Sequence, residues 1–412
     1  MLFVPLTLPN GSTLPNRLAK AAMEEAMAEA GQLPGLAIER LYARWAQGGA
    51  GLLITGNVMV DSRALTGPGT IALEAHTPLA PFKAWTLASH RHGAKIWMQI
   101  NHPGRQVMAN MGGLAWGPSA VPLDLGKHST LFASPVAMTH AQIAEVIERF
   151  AATAHAAEQA GFDGVQIHAA HGYLLSQFLS PLANCRDDEW GASLANRGRL
   201  LLAIVRAMRA RVSAGFCVAV KLNSADFQRG GFSEDDAQEV VVLLNDLPVD
   251  LVELSGGSYE SPAMQGRTAD GRTLAREAYF LEFAQTLAAV ALMPVMTTGG
   301  IARQANAEQA LASGVAVVGI ATALTLAPDL PQQWRAGAAP LATAQPVQWK
   351  DKVLGSLATM AVVRRRLRTL GAKGGTGTSG SHLNPLFSLV LDQWRASLLT
   401  RRYRKWRMQS AR

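Results

Sequence analysis

Eight short apolar runs punctuate the chain, most of them separated by enough residues for a helix. They are LAKAAM (Leu18 to Met23), GLLITG (Gly51 to Gly56), KIWMQI (Lys95 to Ile100) and GVQIHAA (Gly164 to Ala170). CVAVKLN (Cys217 to Asn223), DLVELSG (Asp250 to Gly256), PVMTTGG (Pro294 to Gly300) and VAVVGIA (Val315 to Ala321) complete the set. Their lack of strict polar/apolar alternation predicts parallel strands covered on both faces. Between them the period changes. AQIAEVIERFAATAHAA places Ile143, Val146, Ile147 and Phe150 at i, i+3, i+4 and i+7, the stripe of a helix lying on a sheet. That stretch runs on through EQAG to Gly161, and TPLAPFKAWTLASHRHG ends at Gly93, both usual helix stops.

Strand and helix alternating eight times predict an α/β fold closed into a (β/α)8 TIM barrel. An open doubly wound sheet would want a glycine-rich turn after its first strand. Glu24, Glu25, Ala26 and Met27 stand there instead. Three long stretches, 101–139, 171–191 and 257–276, each follow a predicted strand. They therefore belong to the C-terminal face, where barrel active sites are built, and are expected to act as lids and pocket walls.

After Trp349 the pattern changes again. VLGSLATMAVVRRRLRTLG reads as a helix with a basic cluster, followed by a Gly/Ser/Thr-rich linker near 373–382 and a last segment, LFSLVLDQWRASLLTRRYRKWRM. The expected division is a barrel over 1–346 and a basic, helical extension over 347–412. The formal charge of +8 follows this division. Fourteen Lys/Arg and two acids from Val347 onward give +12, which leaves 8 − 12 = −4 for the barrel, so the basic character belongs to the tail. Three readings of the tail stand open: peripheral contact with an anionic membrane surface, packing against a partner subunit in a homo-oligomer, or a solvated helix on the barrel's own flank. Arginines interleaved with aromatics are compatible with nucleic acid, but no recognised module is present and none is expected as a partner.

Two cysteines, Cys185 and Cys217, make neither a disulfide framework nor an iron–sulfur site. No basic leader with an apolar core opens the chain and no run is long enough to span a membrane, so a reduced, cytoplasmic setting is expected.

The densest chemistry is His168-Ala-Ala-His171-Gly172-Tyr173, at the end of the fourth predicted strand. Two imidazoles three apart can converge on one anionic or carbonyl oxygen, and a tyrosine beside them is a candidate general acid. Packing and loop capping are the alternatives. A zinc site would need a third ligand that no further His/Cys group supplies, so no metal is expected.

The stretch Gln166-Ile-His168-Ala-Ala-His171-Gly-Tyr173-Leu-Leu-Ser-Gln-Phe-Leu-Ser-Pro181 resembles the signature of the Old Yellow Enzyme family. The resemblance continues through Asn184, Arg186, Asp188, Gly191, Ser193, Asn196 and Arg197, and covers about residues 2 to 335. It implies an FMN-dependent, NAD(P)H-driven reductase of activated C=C bonds such as enones. His168 and His171 would bind the carbonyl oxygen and Tyr173 would give the proton. Two preorganised donors would stabilise the enolate charge that builds in the transition state. Gln99-Ile-Asn-His-Pro-Gly-Arg105 resembles another family motif and implies that Gln99 meets the flavin pyrimidine edge, which an amide suits as both donor and acceptor. Pro15-Asn16-Arg17 also resembles the family, implying that Ala21, Ala22 and Met23 lie beneath the flavin. Gly299, Gly300 and Gly319 resemble its phosphate-binding turns. Gly56, beside Thr55 and Asn57, is a further candidate flavin neighbour, and Trp97, Trp116 and Tyr259 are candidates either for the substrate pocket or for packing.

Three positions depart from the family pattern. Lys221 stands where many members have arginine; it keeps a cation near the flavin but loses the bidentate fork. Glu24 replaces the usual Thr or Cys after the Met. A carboxylate there would oppose added electron density unless it is protonated or turned away, and the alternative is that Glu24 and Glu25 are solvated loop acids. Gly319-Ile-Ala-Thr322 lacks the usual arginine, so phosphate binding would rest on backbone groups and the Thr322 hydroxyl. Larger relatives of the dienoyl-CoA reductase type add an iron–sulfur cluster and a second flavin domain. This sequence offers neither, so soluble NAD(P)H in a ping-pong cycle is expected. Two other functions remain open at this level. One is a flavin-dependent dehydrogenase or demethylase of small molecules. The other is a cofactor-free phosphate-binding barrel using Lys221 as a Schiff-base amine.

Overall fold

A computed structural model of the chain describes residues 1–261, 281–338, 340–343, 346–373 and 384–410. Eight strands run parallel and close on themselves. They are β1 (Leu18–Lys20), β2 (Leu52–Ile54), β3 (Lys95–Asn101), β4 (Gly164–Ala169), β5 (Cys217–Asn223), β6 (Leu251–Ser255), β7 (Val295–Thr298) and β8 (Val317–Ile320). Each pairs with its neighbours in sequence, β8 pairs with β1, and Ile320 lies opposite Lys20 at that seam. Each apolar run of the sequence holds one of these strands. The first is shorter than its run, so Ala21, Ala22 and Met23 already belong to the loop on the C-terminal face.

The helices that cover the barrel begin with α1 (Leu36–Gln47), α2 (Ala80–His90), α3 (His140–Gln159) and α4 (Leu194–Arg209). α5 (Glu234–Asn245), α6 (Leu281–Val290) and α7 (Gln304–Ala312) continue the series, and two short helices, α8 (Ala323–Leu326) and α9 (Leu330–Arg335), follow β8. α3 starts at a capping box in which Thr139 and Gln142 satisfy each other's backbone N–H groups. Its stripe is as the spacing predicts: Ile143, Val146 and Phe150 are fully buried and Ile147 packs at the margin.

The two faces of the strands do different work. Outward residues pack under the helices, while Ala19, Ile54, Trp97, Ala219, Leu251, Met296 and Val317 fill the barrel interior. A hairpin that sequence reasoning missed, Leu6–Thr7 paired with Thr13–Leu14, closes the N-terminal end with Leu8 and Leu14. Each such side chain, fully buried, contributes about 1.5–3 kcal/mol. Asn16 is part of this base: its carbonyl accepts from the N–H groups of Leu18 and Gly51, tying β1 to β2. Trp97 belongs to this lower layer, opposite Gly164, and lines a cavity of about 230 Å³ at the N-terminal end with Leu14 and Cys217. It is packing, not substrate pocket, because it lies two residues below Gln99 on an inward-facing strand side.

The extension forms α10 (Lys352–Gly371) and α11 (Pro385–Ser410); most of the expected linker, from 374 on, lies outside the described residues. α10 packs on α1 and on the short α8, and α11 docks on loops of the C-terminal face. The Tyr403 hydroxyl donates to the Ser62 carbonyl at 2.8 Å, and its ring packs with Met59, Leu65 and Met111. Arg407 donates to the Gly112 carbonyl. The far side of α11 leaves Leu386, Val390, Trp394 and Leu398 exposed. Among the described residues no helix is long and apolar enough to cross a membrane.

Candidate active site

Above the apolar floor, the inward positions of consecutive strands turn polar. Gln99 donates an amide hydrogen to Gln166 at 2.8 Å, and Gln166 donates to Glu253 at 2.7 Å. The other Glu253 oxygen accepts from Lys221 at 2.8 Å and from the Thr298 hydroxyl at 2.7 Å. Glu253 is completely buried. A buried carboxylate is tolerated only with such partners. Sequence reasoning placed Lys221 here but missed Gln166, Glu253 and Thr298. The available signal was an acid inside an otherwise apolar strand, at the residue opposite Lys221.

One layer higher stands the cluster at the end of β4. The His168 and Tyr173 rings meet edge-on with centroids 4.8 Å apart, and His168 meets His171 at 5.0 Å. The Ala170 N–H donates to His168 Nδ1 at 3.3 Å, which fixes the tautomer: the proton is on Nε2, and that N–H has no partner among the described residues. His171 takes a left-handed backbone conformation, φ 62°, uncommon for a residue with a side chain. Two contacts hold it. Its N–H donates to Asn223 Oδ1 at 3.0 Å, and its Nε2 lies 2.8 Å from the Ser255 hydroxyl. Neither Asn223 nor Ser255 was singled out from sequence, because each is a polar residue at a strand end with no motif around it.

Burial dominates the electrostatics. It depresses both imidazoles well below their usual range, aided at His168 by its neighbours His171 and Lys221, so both rings are neutral at pH 7. It also raises the Tyr173 phenol well above 10, and the Tyr259 phenol to about 12. The two hydroxyls lie 3.0 Å apart. A neutral, hydrogen-bonded phenol is a proton donor at neutral pH.

The signature residues beyond Tyr173 brace this loop and do not face the cluster. Gln177 bonds the Pro103 and Gly172 carbonyls, joining the loops after β3 and β4. Asn184 donates to Phe178 and Trp190 carbonyls at 2.8 Å, and Arg186 to those of Pro118 and Met138. Trp116 stacks on His102 and lies under the Arg63 guanidinium, so it supports the wall.

The loop after β1 corrects the solvated-acid reading of Glu24 and Glu25. Glu25 is buried and accepts from the Tyr42 hydroxyl at 2.5 Å and the Gly56 N–H at 3.1 Å. Lys20 stands beside it at 3.4 Å, its pKa lowered by burial to about 8. Gly56 is required here, since a Cβ would sit 2.0 Å from the Glu25 carboxylate and 2.3 Å from the Met23 carbonyl. Glu24 is turned the other way, 3.0 Å from Arg364 of α10 and 3.0 Å from the Thr66 hydroxyl.

These groups suit a flavin. Gln99 keeps its carbonyl oxygen and one amide hydrogen without a partner among the described residues, and Lys221 keeps donors beyond the one given to Glu253. Gly299 and Gly300, past the end of β7, both have positive φ, a conformation that favours glycine and turns backbone N–H groups outward. Gly319 lies opposite Thr298 in the β7–β8 ladder, and Thr322 precedes the short α8.

Comparison with known proteins shows the family. The model of the NADH:flavin oxidoreductase / NADH oxidase family matches residues 1–339. An NADH-dependent flavin oxidoreductase of Hypocrea jecorina is 35% identical over 351 residues, covering 80% of this chain and 87% of that protein. Another, of Neonectria sp., is 37% identical over 353 residues and 80% of this chain, but the chain spans only 46% of that longer protein. Among solved structures, the Old Yellow Enzyme homologue of Zymomonas mobilis superposes with a TM-score of 0.71 at 25% identity, covering 84% of this chain and 94% of its own. A 2-naphthoyl-CoA reductase complex gives 0.74 at 26% identity, covering 82% of this chain and 52% of that one. The chain belongs to the NADH:flavin oxidoreductase / NADH oxidase family, whose chemistry joins FMN to a nicotinamide donor.

Proposed function

We propose that this chain reduces an electron-poor C=C bond conjugated to a carbonyl, with NAD(P)H as donor. Bound FMN, once reduced by the nicotinamide, supplies the hydride that reaches the β-carbon. Everything else falls to the chain's own residues. His168 Nε2–H and the His171 ring hold the carbonyl oxygen, where negative charge builds as the hydride arrives. Neutral imidazoles fixed by the Ala170 N–H and the Ser255 hydroxyl need no reorganisation to do this, which is what makes such donors effective. The Tyr173 hydroxyl gives its proton to the α-carbon, and the Tyr259 hydroxyl stabilises the phenolate left behind.

Gln99 and Lys221 are assigned to the flavin's pyrimidine end, with Ala21, Ala22, Met23 and Gly56 beside its ring. Gly299, Gly300, Gly319 and Thr322 are assigned to its phosphate. The observation that carries the reading is the Ala170 N–H on His168 Nδ1, which leaves the Nε2 proton as a fixed donor beside Tyr173. The alternative Schiff-base chemistry is not favoured, because the Lys221 amine is committed to its ion pair with Glu253.

Isotope labelling tests the reading. Reduction of 2-cyclohexenone by NADH in D2O should place solvent deuterium at the α-carbon and none at the β-carbon. Absence of reduced product, or turnover only with a saturated donor and no NAD(P)H, would rule it out in favour of an oxidative function.

A further inference from the structure

The family match ends at residue 339, yet a residue beyond it enters the active-site wall. Arg364 of α10 reaches Glu24 on the loop after β1 at 3.0 Å. Its other arm meets Asp392 of α11 at 3.1 Å, and Arg368 meets the same carboxylate at 2.9 Å. Glu24 and Arg364 are close enough to Tyr173 and Tyr259 that both charges act on the two phenols, in opposite directions. The charges alternate as Glu24, Arg364, Asp392, Arg368, so removing one member leaves its neighbour uncompensated in a partly desolvated place.

Glu24 directly follows the Met assigned to the flavin, where a free carboxylate would oppose the electron density that reduction adds. The tail's arginine offsets that carboxylate. We propose that Arg364 is a positioning residue for the redox site: it neutralises Glu24 from the C-terminal extension and thereby sets the reduction potential of the bound flavin. The extension is then part of the active site. Packing of α10 on α1 and α8, with α11 docked on the loops of the C-terminal face, brings the compensating charge into place. This proposal rests on the flavin reading above.

The test is the midpoint potential of FMN in the holoenzyme, measured by dye-coupled reductive titration. It compares the wild type with Arg364→Met, Glu24→Gln, the double variant and Arg368→Met. Arg364→Met should disfavour reduction about tenfold, a fall of about 30 mV for a two-electron couple. Glu24→Gln should shift the potential upward, and the double variant should return close to wild type. Arg368→Met loosens the same Asp392 contact without touching Glu24, and its potential should stay at the wild-type value. Equal potentials in all five proteins would overturn the proposal and leave the flavin reading intact. So would a fall that the double variant does not restore, or one that Arg368→Met reproduces, since either would trace the shift to undocking of the helices. A wild-type protein that binds no FMN would overturn both.

Discussion

The hydroxyl of Tyr173 lies 3.0 Å from that of Tyr259, and each ring is packed where burial keeps its phenol protonated. The donor and the group that stabilises its conjugate base thus come from the loops after two different strands, β4 and β6. Tyr173→Phe should slow enone-dependent reoxidation of the flavin by about 10²- to 10⁴-fold, the usual worth of a positioned general acid, and leave its reduction by NADH unchanged. Tyr259→Phe removes one neutral hydrogen bond and should cost about tenfold in the same half-reaction. Stopped-flow traces of the two half-reactions separate these outcomes.

Much of this architecture was legible in the sequence because two periodicities carry it. Continuous apolar runs mark strands covered on both faces, and the stripe through Ile143 and Phe150 marks a helix lying on them. The His168–His171–Tyr173 spacing at a strand end located the cluster for the same reason: strand ends in this fold point at the active site. What escaped is what depends on neighbours far apart in the chain. Glu253 is 32 residues from Lys221, and Glu24 is 340 residues from Arg364. Neither local pattern nor spacing encodes such pairings. The solvated-acid reading of Glu25 failed because its partner Tyr42 lies on α1, out of reach of any motif. Trp97 stayed open between pocket and packing because inward and upward are different directions in a barrel, and alternation reports only the first.

The Lys221–Glu253 pair makes an asymmetric prediction. Lys221→Met strands a fully buried carboxylate and should destabilise the fold by about 3–5 kcal/mol, whereas Lys221→Met with Glu253→Gln should recover most of that loss. Denaturant midpoints of the two variants and the wild type measure the difference. A double variant no more stable than the single one would show that the pair is not the unit that matters.

Asn223 holds His171 in its left-handed conformation through the His171 N–H. Asn223→Ala should let the loop relax and displace the imidazole. A misplacement of this kind costs on the order of 10²-fold in reaction with the enone. Gln99 and Lys221 are untouched, so the FMN content should not change. Loss of both together would mean that Asn223 supports the whole barrel end.

Histidine burial predicts a stability profile. His102, fully buried and stacked on Trp116, has its pKa lowered by burial to about 4, and His168 and His171 are lowered in the same direction. Below pH 6.5 the unfolded chain takes up these protons and the folded one does not, so stability falls as pH falls. From His102 alone the loss is complete below about pH 4 and amounts to roughly 3 kcal/mol. His102→Gln should flatten the slope between pH 6.5 and 4, while the lost stacking on Trp116 shifts stability by the same amount at every pH. Thermal denaturation across that range checks it.

The central claim is that this cluster passes a hydride and a proton from a nicotinamide-reduced flavin to an electron-poor alkene. It is tested most directly by the visible spectrum of the purified protein during anaerobic titration, first with NADH and then with 2-cyclohexenone. Bands at about 370 and about 450 nm that bleach with NADH and return on adding the enone are the predicted result. A protein that shows no such bands after incubation with FMN, or whose bleached flavin is not restored by the enone, would contradict it.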